Sequence, residues 1–405
     1  MTGSRLFLFD DRRARRWAPF TLTRPVGELL FGCLTLRDRA ERVFGTTCEG
    51  HLSRAALIGF DEPGAAPGVS HDEVGTEGVR ILLSSRAVVD FQRIEVPTEG
   101  ARIFVDGESA GWVVPTGAPI PSSQQISNPG ADPGNGPRLE LSGRVLDHPW
   151  NLIAENCDRI RTDVTHLWPE DSTPEGVRRI GDGVLSVAKE AAIEPGVYLD
   201  LRDGPVRLES GARVEGPARL TGPLFIGRDC TVLGGSVGTS SFGPVCLVRG
   251  EIAHSVFLGF VNKAHDGHIG HALLGRWVNL GAFTTNSDLK NNYSSVRVWT
   301  PEGEKDTGLL KVGCFLGDHV KSGIGTLLNT GTVIGAGTNV FGGVMPPTVV
   351  PPFSWGAGPD LRDHHLEKFL DSAARSMARR DQELTPGVTS ILRNAWQATA
   401  GRRAE

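Results

Sequence analysis

The sequence predicts an α/β domain followed by a left-handed parallel β-helix of hexapeptide repeats, with a helical tail. Three observations predict this arrangement. The chain has 405 residues, which is too long for one ordinary compact core. It contains 52 glycines and 26 prolines, so much of its backbone lies in turns. Aliphatic residues also recur at a fixed spacing through the second half, which is typical of a repeat architecture.

The repeat has a period of six residues. This period fits neither an α-helix nor simple strand alternation, but it fits a coil whose flat sides are each one hexapeptide long. Ser322 breaks the last series, and a β-sandwich rich in glycine turns is the alternative. The aliphatic positions are Leu208, Val214, Leu220, Ile226 and Val232, then Ile252, Leu258, Leu274 and Leu280, then Leu310, Leu316, Leu328, Ile334 and Val340.

Local patterns divide the rest of the chain. Apolar runs at 5–9, 55–59, 80–83 and 102–105 predict strands, and spacing over 31–44 predicts a helix. Residues 106–137 are rich in Gly, Pro and Ser, which predicts a surface insertion. We place the α/β domain at about 1–175, the β-helix at about 180–355 and the helical tail at about 356–405.

Composition narrows the class of partner. The formal net charge of -5 comes without a long charged run, so we expect no nucleic-acid or membrane partner but small-molecule substrates. The six cysteines form no close pair, which indicates free thiols and no metal site of cysteines. No signal peptide or membrane span is predicted, so we expect a cytoplasmic protein.

Three histidines and a polar interruption of the repeat are the candidate catalytic and binding features of the sequence. His265, His268 and His271 lie on one predicted coil, and histidine is suited to take a proton near neutral pH. A metal site and a solvated surface are the alternative interpretations. The repeat is also interrupted between Thr285 and Lys311. Insertions in solenoids often form the binding face. A loop without a function is the alternative interpretation of this segment.

These residues resemble a known family. The coil from Lys263 to Gly275, the step from Val278 to Ala282 and the polar insertion that follows are similar to bifunctional bacterial enzymes. Those enzymes have glucosamine-1-phosphate N-acetyltransferase and N-acetylglucosamine-1-phosphate uridyltransferase activities, and the chain looks like a divergent branch of them. The resemblance is strongest over 250–356, although the insertion departs from the family's Asn-Tyr-Asp-Gly order.

The resemblance implies roles for particular residues. It implies acetyl-CoA as co-substrate, an amino-sugar phosphate as acceptor and a homotrimer with sites between subunits. His265 would be the catalytic base, and His319 is a second candidate. Gly281 and Ala282 would lie beside the acetyl group. The implied contacts to the sugar phosphate are Lys263, Asn279, Asn286, Lys290, Asn292 and Tyr293.

The amino-terminal resemblance is weaker. Sugar nucleotidyltransferases follow their first strand with a glycine-rich phosphate loop, an arginine and a lysine before proline. Here Arg12 and Arg24 take the places of the two cations, but the glycines are missing. The resemblance implies UTP binding by these arginines, with Mg²⁺ held by Asp10 and Asp11 if the domain is active. A solvated arginine face, and a non-catalytic sugar-nucleotide-binding or scaffold trimer, are the alternatives.

Overall fold

The computed structural model describes residues 3–131, 136–174, 176–356, 358 and 361–403. Its amino-terminal part is an α/β domain, as predicted. The helices here are α1 (Leu36–Phe44), α2 (Ser123–Ser127), α3 (Asn151–Ala154) and α4 (Asn156–Leu167). The strands are β1 (Arg5–Phe9), β2 (Leu30–Phe31), β3 (Leu34–Thr35), β4 (Cys48–Leu52), β5 (Arg80–Ser84), β6 (Ala87–Val89), β7 (Ala101–Val105), β8 (Glu108–Val114), β9 (Arg138–Leu141) and β10 (Gly143–Val145).

The main sheet of this domain has the strand order β4-β1-β5-β8-β7-β9. Strand β1 runs parallel to both of its neighbours, β4 and β5. The chain therefore passes from β1 to β4 on one side and then to β5 on the other side of β1. The carboxyl ends of β1 and β5 therefore border the point where the strand order reverses. In open α/β sheets such a switch point is where ligands usually bind.

Two local predictions in this domain were wrong. The predicted strand at 55–59 is a single 3₁₀ turn at Ala55–Leu57. The predicted surface insertion at 106–137 contains the central strand β8 and the helix α2, while residues 132–135 of it lie outside the described residues. Gly111 belongs to the packed sheet because an added Cβ would lie 2.0 Å from the Leu82 carbonyl oxygen.

The carboxy-terminal half is a parallel β-solenoid, which confirms the predicted repeat. Its strands are β11 (Arg178–Ile180), β12 (Leu185–Val187), β13 (Ala192–Ile193), β14 (Val197–Asp200), β15 (Val206–Leu208), β16 (Arg213–Val214), β17 (Ala218–Thr221), β18 (Leu224–Ile226), β19 (Thr231–Gly238), β20 (Ser241–Phe242), β21 (Leu247–Ala253), β22 (Val256–Phe257), β23 (Asn262–Lys263), β24 (His268–Gly270), β25 (Leu273–Leu274), β26 (Thr285–Asn286), β27 (Arg297–Thr300), β28 (Gly303–Asp306), β29 (Phe315–Leu316), β30 (Lys321–Ser322), β31 (Leu327–Leu328), β32 (Val333–Ile334), β33 (Asn339–Val340), β34 (Val349–Val350), β35 (Ser354–Gly356) and β36 (Arg362–Asp363). One face is a nine-stranded parallel sheet, β12-β15-β18-β20-β22-β25-β29-β32-β34, with a strand from each successive turn.

The solenoid core contains twelve of the fourteen aliphatic positions of the six-residue series. Two positions differ from the prediction. Leu258 is buried between the domains instead. Leu310 is 57% exposed because it belongs to the returning end of the insertion, whose strands β27 and β28 form an antiparallel hairpin.

The two domains share a hydrophobic cluster. On the nine-stranded face, alternate residues point into the solenoid and outward, as strand geometry requires. Leu274 and Ile334 point inward, whereas Leu273 and Val333 join the cluster that also contains Trp17 of the amino-terminal domain. The amino-terminal domain is therefore packed directly on this face of the solenoid.

The tail is helical, as predicted, with α5 (Leu366–Ala378), α6 (Pro386–Ala398) and α7 (Ala400–Arg403). Pro386 occupies the first turn of α6, and the Thr385 side chain caps that helix. Phe353 of the last turn of the solenoid packs with Phe369 and Leu392 of the tail. Within the described ranges all six cysteines are free thiols, and the helices there are too short or too polar to span a bilayer.

Candidate functional site

His265 lies at a corner of the solenoid, between β23 and β24, and its side chain is exposed. The next turn places Ala282 and Phe283 against the same corner, where the Phe283 N–H donates to the Asp266 carbonyl oxygen at 3.0 Å. One turn further, the Gly325 N–H donates to the Ala282 carbonyl oxygen at 2.7 Å. We call this column of His265, Ala282 and Ile324 the His265 corner.

The backbone of the His265 corner offers a donor. The Gly281 N–H is already used, because it donates to the carbonyl and hydroxyl oxygens of Ser322 at 3.1 and 3.0 Å. Within the described part of the chain nothing accepts from the Ala282 N–H. An exposed imidazole beside a free backbone N–H combines a proton acceptor with a donor for a developing oxyanion.

Lys263 supports this corner from inside. Its side chain is fully buried, and its ammonium group donates to the carbonyl oxygens of Arg249 and His265. Burial lowers the pKa of Lys263 to about 8. The ammonium group therefore does not reach the surface to make the predicted sugar-phosphate contact in this structure.

His271 occupies the next corner, between β24 and β25, and it has a carboxylate partner. Its Nδ1 lies 2.7 Å from Asp288 Oδ2, and His268 Nε2 lies 4.0 Å from the same oxygen. The His271 ring also stacks on the His254 ring at 4.5 Å. The hydrogen bond from His271 lowers the pKa of Asp288. We call His254, His271 and Asp288 the His271 corner.

The predicted insertion leaves the solenoid at the His271 corner. Its residues border a polar hollow of about 450 Å³ that contains two of the predicted substrate contacts, Lys290 and Asn292, while Tyr293 beside it is 70% exposed. Asn286 is buried instead, and its amide group bonds both backbone groups of Gly270 at 2.9 Å. The hollow is lined by Ser287, Leu289, Lys290, Asn291, Asn292, Asn329 and Thr330.

The predicted acetyl-transfer and sugar-phosphate residues are not all brought together within one chain. His265 and Ala282 lie at one corner, while the hollow lies at the next corner across the flat side formed by β24, β26 and β31. Asn279 lies on the other side of the His265 corner, and its side chain accepts a hydrogen bond from Asn262 at 2.5 Å. The hollow and His265 therefore lie at different corners of the same chain.

His319, the second candidate base, lies at the third corner of the solenoid turn, and its side chain is packed against other residues. Its ring is parallel to that of Trp277 at 6.3 Å and meets the edge of Phe369 of the tail at 5.8 Å. Only 4% of the residue is exposed. Desolvation, with nearby cations such as Lys321, lowers the pKa of His319 to about 3. The geometry is that of a packing residue that stays neutral.

This burial makes a pH dependence testable. The unfolded chain protonates His319 near its ordinary pKa of 6.5, whereas the folded chain does so only near 3. Its contribution to the free energy of unfolding should therefore fall as pH drops from 6.5 to about 3, by at most about 4 kcal/mol. We expect His319→Phe to flatten that decline in urea titrations, since Phe260 and Phe353 adopt the same positive φ as His319. An unchanged slope in the variant would contradict this, and exposed His265→Ala is the control.

In the amino-terminal domain, Arg12 lies where a ligand is expected. A hollow of about 560 Å³ opens at the carboxyl ends of β1 and β5, lined by Arg12, Arg13, Arg16 and Arg86 among others. The Arg12 side chain is exposed and forms no ion pair with any described residue. Arg13 and Arg16 pair with Asp147 and Glu302. A free guanidinium at a switch point is suited to bind phosphate.

The carboxylates that follow β1 do not fit the predicted Mg²⁺ site. Asp11 is buried and receives hydrogen bonds from Arg86 at 2.6 and 3.0 Å and from the Ala14 N–H at 2.8 Å. Asp10 is buried too and accepts from Ser53 and from the Val26 N–H. Both carboxylates are thus engaged inside the protein. Among the described residues, no cluster of three or more His, Cys, Asp and Glu side chains could hold a metal ion.

Arg24 is likewise not placed to bind a nucleotide. It is 3% exposed, and it bonds Asp318 of the solenoid and Glu62 of its own domain, each at 2.8 Å. Arg276 lies 2.9 Å from Glu62. Burial opposes ionisation of Glu62, but the two arginines hold its pKa below the ordinary value. Arg24 therefore joins the domains through a buried ion-pair network.

Comparison with known proteins shows what the first domain is similar to. Residues 6–170 match the family model described as sugar nucleotidyl transferase. This range contains all but the first residue of β1, the loop with Arg12 and the switch point.

Residues 6–170 are therefore similar to sugar nucleotidyl transferases.

One curated relative has two activities. The chain is 25% identical over 216 residues to a bifunctional sugar-1-phosphate nucleotidylyltransferase/acetyltransferase of Sulfurisphaera tokodaii. The match covers 51% of this chain and 47% of the relative, so the chain spans about half the length of the curated relative. A solved Bacillus cereus structure, provisionally called an acetyltransferase, is 14% identical and covers 55% of this chain and 96% of its own. The TM-score of that structure against this chain is 0.24.

Sequence reasoning missed two features of these sites. Asp288 was not singled out, although the 17-residue offset that pairs Asn262 with Asn279 also takes His271 to Asp288. In the amino-terminal domain, the role of Asp11 was missed because its partner Arg86 is 75 residues away. No local pattern in the sequence joins those two residues.

Proposed function

We propose that the protein is an acetyl-CoA-dependent N-acetyltransferase that acts on an amino-sugar phosphate resembling glucosamine-1-phosphate. The observation that carries this proposal is the His265 corner, where an exposed imidazole lies beside the Ala282 N–H, from which no described residue accepts. The imidazole would accept the proton of the attacking amine, and the N–H would stabilise the oxyanion that forms on the thioester. The proposal is tested by following thiol release from acetyl-CoA with glucosamine-1-phosphate as acceptor.

For the sugar nucleotidyl transferase domain, we propose binding of UTP, coupled to formation of a sugar nucleotide like UDP-N-acetylglucosamine. Arg12 in the switch-point hollow supports the binding step. The Asp11–Arg86 pair favours the alternative, a degenerate domain that binds a sugar nucleotide without transfer, because a buried carboxylate lies in the loop expected to hold phosphate. Release of pyrophosphate from UTP and N-acetylglucosamine-1-phosphate distinguishes the two.

Replacing Arg12 with alanine is expected to weaken UTP binding by about 10-fold to 100-fold, since one charge-assisted hydrogen bond contributes about 1.5–3 kcal/mol. Calorimetry on the full chain measures the affinity. Arg228→Ala removes an exposed arginine of the solenoid and serves as the control. Equal UTP affinity in Arg12→Ala and Arg228→Ala would contradict the assignment, and so would absence of binding at millimolar UTP.

We also propose that the active form is a homotrimer. Two features support it. The sugar-phosphate hollow and His265 lie at different corners of one chain, so a neighbouring subunit could complete the site. Around the His265 corner, Phe283, Ile324 and Trp355 are 64%, 79% and 41% exposed. Large apolar side chains grouped on a surface in this way are typical of a contact with another subunit.

Light scattering should give a mass three times that of the 43.4 kDa chain. Placing a charge in the apolar surface, as in Ile324→Asp, should shift the protein toward monomers and remove acetyl transfer together with assembly. The matched control is Ile180→Asp, which changes an isoleucine that is 39% exposed in the first turns of the solenoid. Full activity at the mass of a single chain would rule the trimer out.

A further inference from the structure

A charged side chain lies on the axis of the solenoid at the His265 corner. Lys263 is fully buried, and strand pairing places it beside Val248 of the preceding turn. Leu280 takes the same place one turn later. Val248 and Leu280 both belong to the hydrophobic core. An aliphatic side chain therefore fits this place in the turns on both sides of Lys263.

The buried cation is unfavourable for folding. Moving an ammonium group out of water costs free energy unless a charged partner compensates it. The nearby carboxylate of Asp266 pairs with the Arg249 guanidinium at 3.1 Å instead. Burial lowers the pKa of Lys263 to about 8, so the folded chain holds this proton less tightly than the unfolded chain does. Such a cost in the turn that carries His265 indicates a role other than stability.

The ammonium group of Lys263 restrains the backbone of His265. It donates to the His265 carbonyl oxygen and, at 3.1 Å, to the Arg249 carbonyl oxygen of the preceding turn. Gly250 leaves room for the inward carbonyl, because a Cβ there would lie 3.3 Å from the His265 carbonyl oxygen and 2.6 Å from that of Gly267. Because each peptide group is planar, holding this carbonyl restricts ψ of His265 and so the direction in which the imidazole points.

A second side-chain contact holds the outer side of the same corner. Arg249 Nε donates to Asp266 Oδ1, but these side chains are 45% and 59% exposed. Ion pairs as exposed as this contribute little, because water and salt screen them. The buried ammonium group of Lys263 is therefore the stronger of the two side-chain restraints on the corner.

We propose that Lys263 is a positioning residue for acetyl transfer, whose ammonium group holds the His265 carbonyl inward so that the imidazole meets the attacking amine in one orientation. The inference rests on the proposed acetyltransferase function. Lys263 is buried and acts through His265, not on the substrate. Its loss should therefore slow the step that uses the imidazole and leave substrate binding unchanged.

Lys263→Met tests the proposal on the full chain, because methionine has a similar length but no charge. Steady-state kinetics with acetyl-CoA and glucosamine-1-phosphate should give a kcat about 10-fold to 100-fold lower, with both KM values within about twofold. The urea midpoint of unfolding should be unchanged or higher, since the buried charge is gone. A lower midpoint with a normal kcat would show that Lys263 serves stability alone.

A double variant and a matched control sharpen the kinetic test. In the His265→Ala background, Lys263→Met should change kcat by less than about twofold, because the group that Lys263 positions is absent. Leu220→Met introduces methionine at another fully buried axis position and should leave kcat unchanged. Equal losses of kcat from Lys263→Met in both backgrounds would overturn the proposal.

Crystal structures of the unmodified protein and of Lys263→Met separate this inference from the proposed function, because they require no turnover. In the variant we expect the His265 carbonyl to turn toward water and the loop 264–267 to change conformation. A rearranged loop in a protein that transfers no acetyl group would refute only the proposed function. An unchanged loop would overturn the positioning role. If Lys263→Met fails to fold, Lys263→Leu, which copies Leu280, replaces it in each measurement.

Discussion

Replacing His265 with alanine is expected to lower the rate of acetyl transfer by about 100-fold to 10,000-fold, the usual contribution of a general base. The loss should fall on kcat, because the imidazole acts on the proton of the attacking amine and not on substrate binding. Steady-state kinetics with acetyl-CoA and glucosamine-1-phosphate measure both parameters. His265 is exposed, so this variant should remain folded.

Two other histidines are the matched comparisons. His319→Gln changes a ring that is packed between Trp277 and Phe369, and His271→Ala changes the ring that is paired with Asp288. We expect both variants to keep much more activity than His265→Ala when they are folded. Near-normal turnover of His265→Ala, with loss of activity in either of the others, would place the base at that other corner.

Replacing Asp318 with alanine is expected to reduce the free energy of unfolding by about 3–5 kcal/mol, the cost of breaking a buried ion pair from one side. Asp318 Oδ2 accepts from Thr23 Oγ1 at 2.7 Å and from Arg24 Nε at 2.8 Å, and Oδ1 accepts from the Arg276 N–H at 2.8 Å. The substitution leaves the Arg24 guanidinium buried beside Glu62 alone. Urea unfolding monitored by tryptophan fluorescence measures the change.

A surface aspartate gives the control for this network. Asp371 pairs with Arg375 one turn later on α5, and both side chains are more than half exposed. Removing that carboxylate should cost about 1 kcal/mol or less. Asp318→Asn, which keeps one acceptor oxygen, should fall between the two alanine variants. An equal cost for Asp318→Ala and Asp371→Ala would mean that the buried network does not hold the domains together.

The solenoid was predictable because its main constraint is local and periodic. Each turn must place an aliphatic side chain on the axis, so the requirement repeats along the sequence. Ser322 shows how an exception is tolerated: its hydroxyl takes the inward place and bonds Thr284 Oγ1 at 2.7 Å. Leu258 was misassigned because the outward positions of the nine-stranded face are also apolar, being covered by the first domain.

The first domain was harder to predict because glycine and proline have two uses. They mark turns, but glycine also occurs where two strands approach closely, as Gly111 does in β8. Composition alone therefore predicts a surface loop for the stretch that contains β8. The fold class was still predictable, since β1, β5 and β7 are short continuous apolar runs.

Within the candidate sites, the sequence predicts which coil a residue lies on, but it does not predict whether the side chain is buried. The repeat predicts that His265 lies on a coil of the solenoid, and the structure adds that it lies at a corner of that coil. The burial of Arg24 depends on Asp318, 294 residues later, and that of Lys263 on the carbonyl groups of its own and the preceding turn. Such contacts depend on how the domains and turns pack, which no local pattern records.

The most direct test of the proposed acetyl transfer is the initial rate of thiol release from acetyl-CoA with glucosamine-1-phosphate, compared with glucose-1-phosphate. The second sugar carries a hydroxyl where the first carries the amine. We expect rapid release with the amino sugar, release near background with glucose-1-phosphate, and loss of the difference in His265→Ala. Equal release with both sugars, or none with either while the protein is folded and assembled, would contradict it.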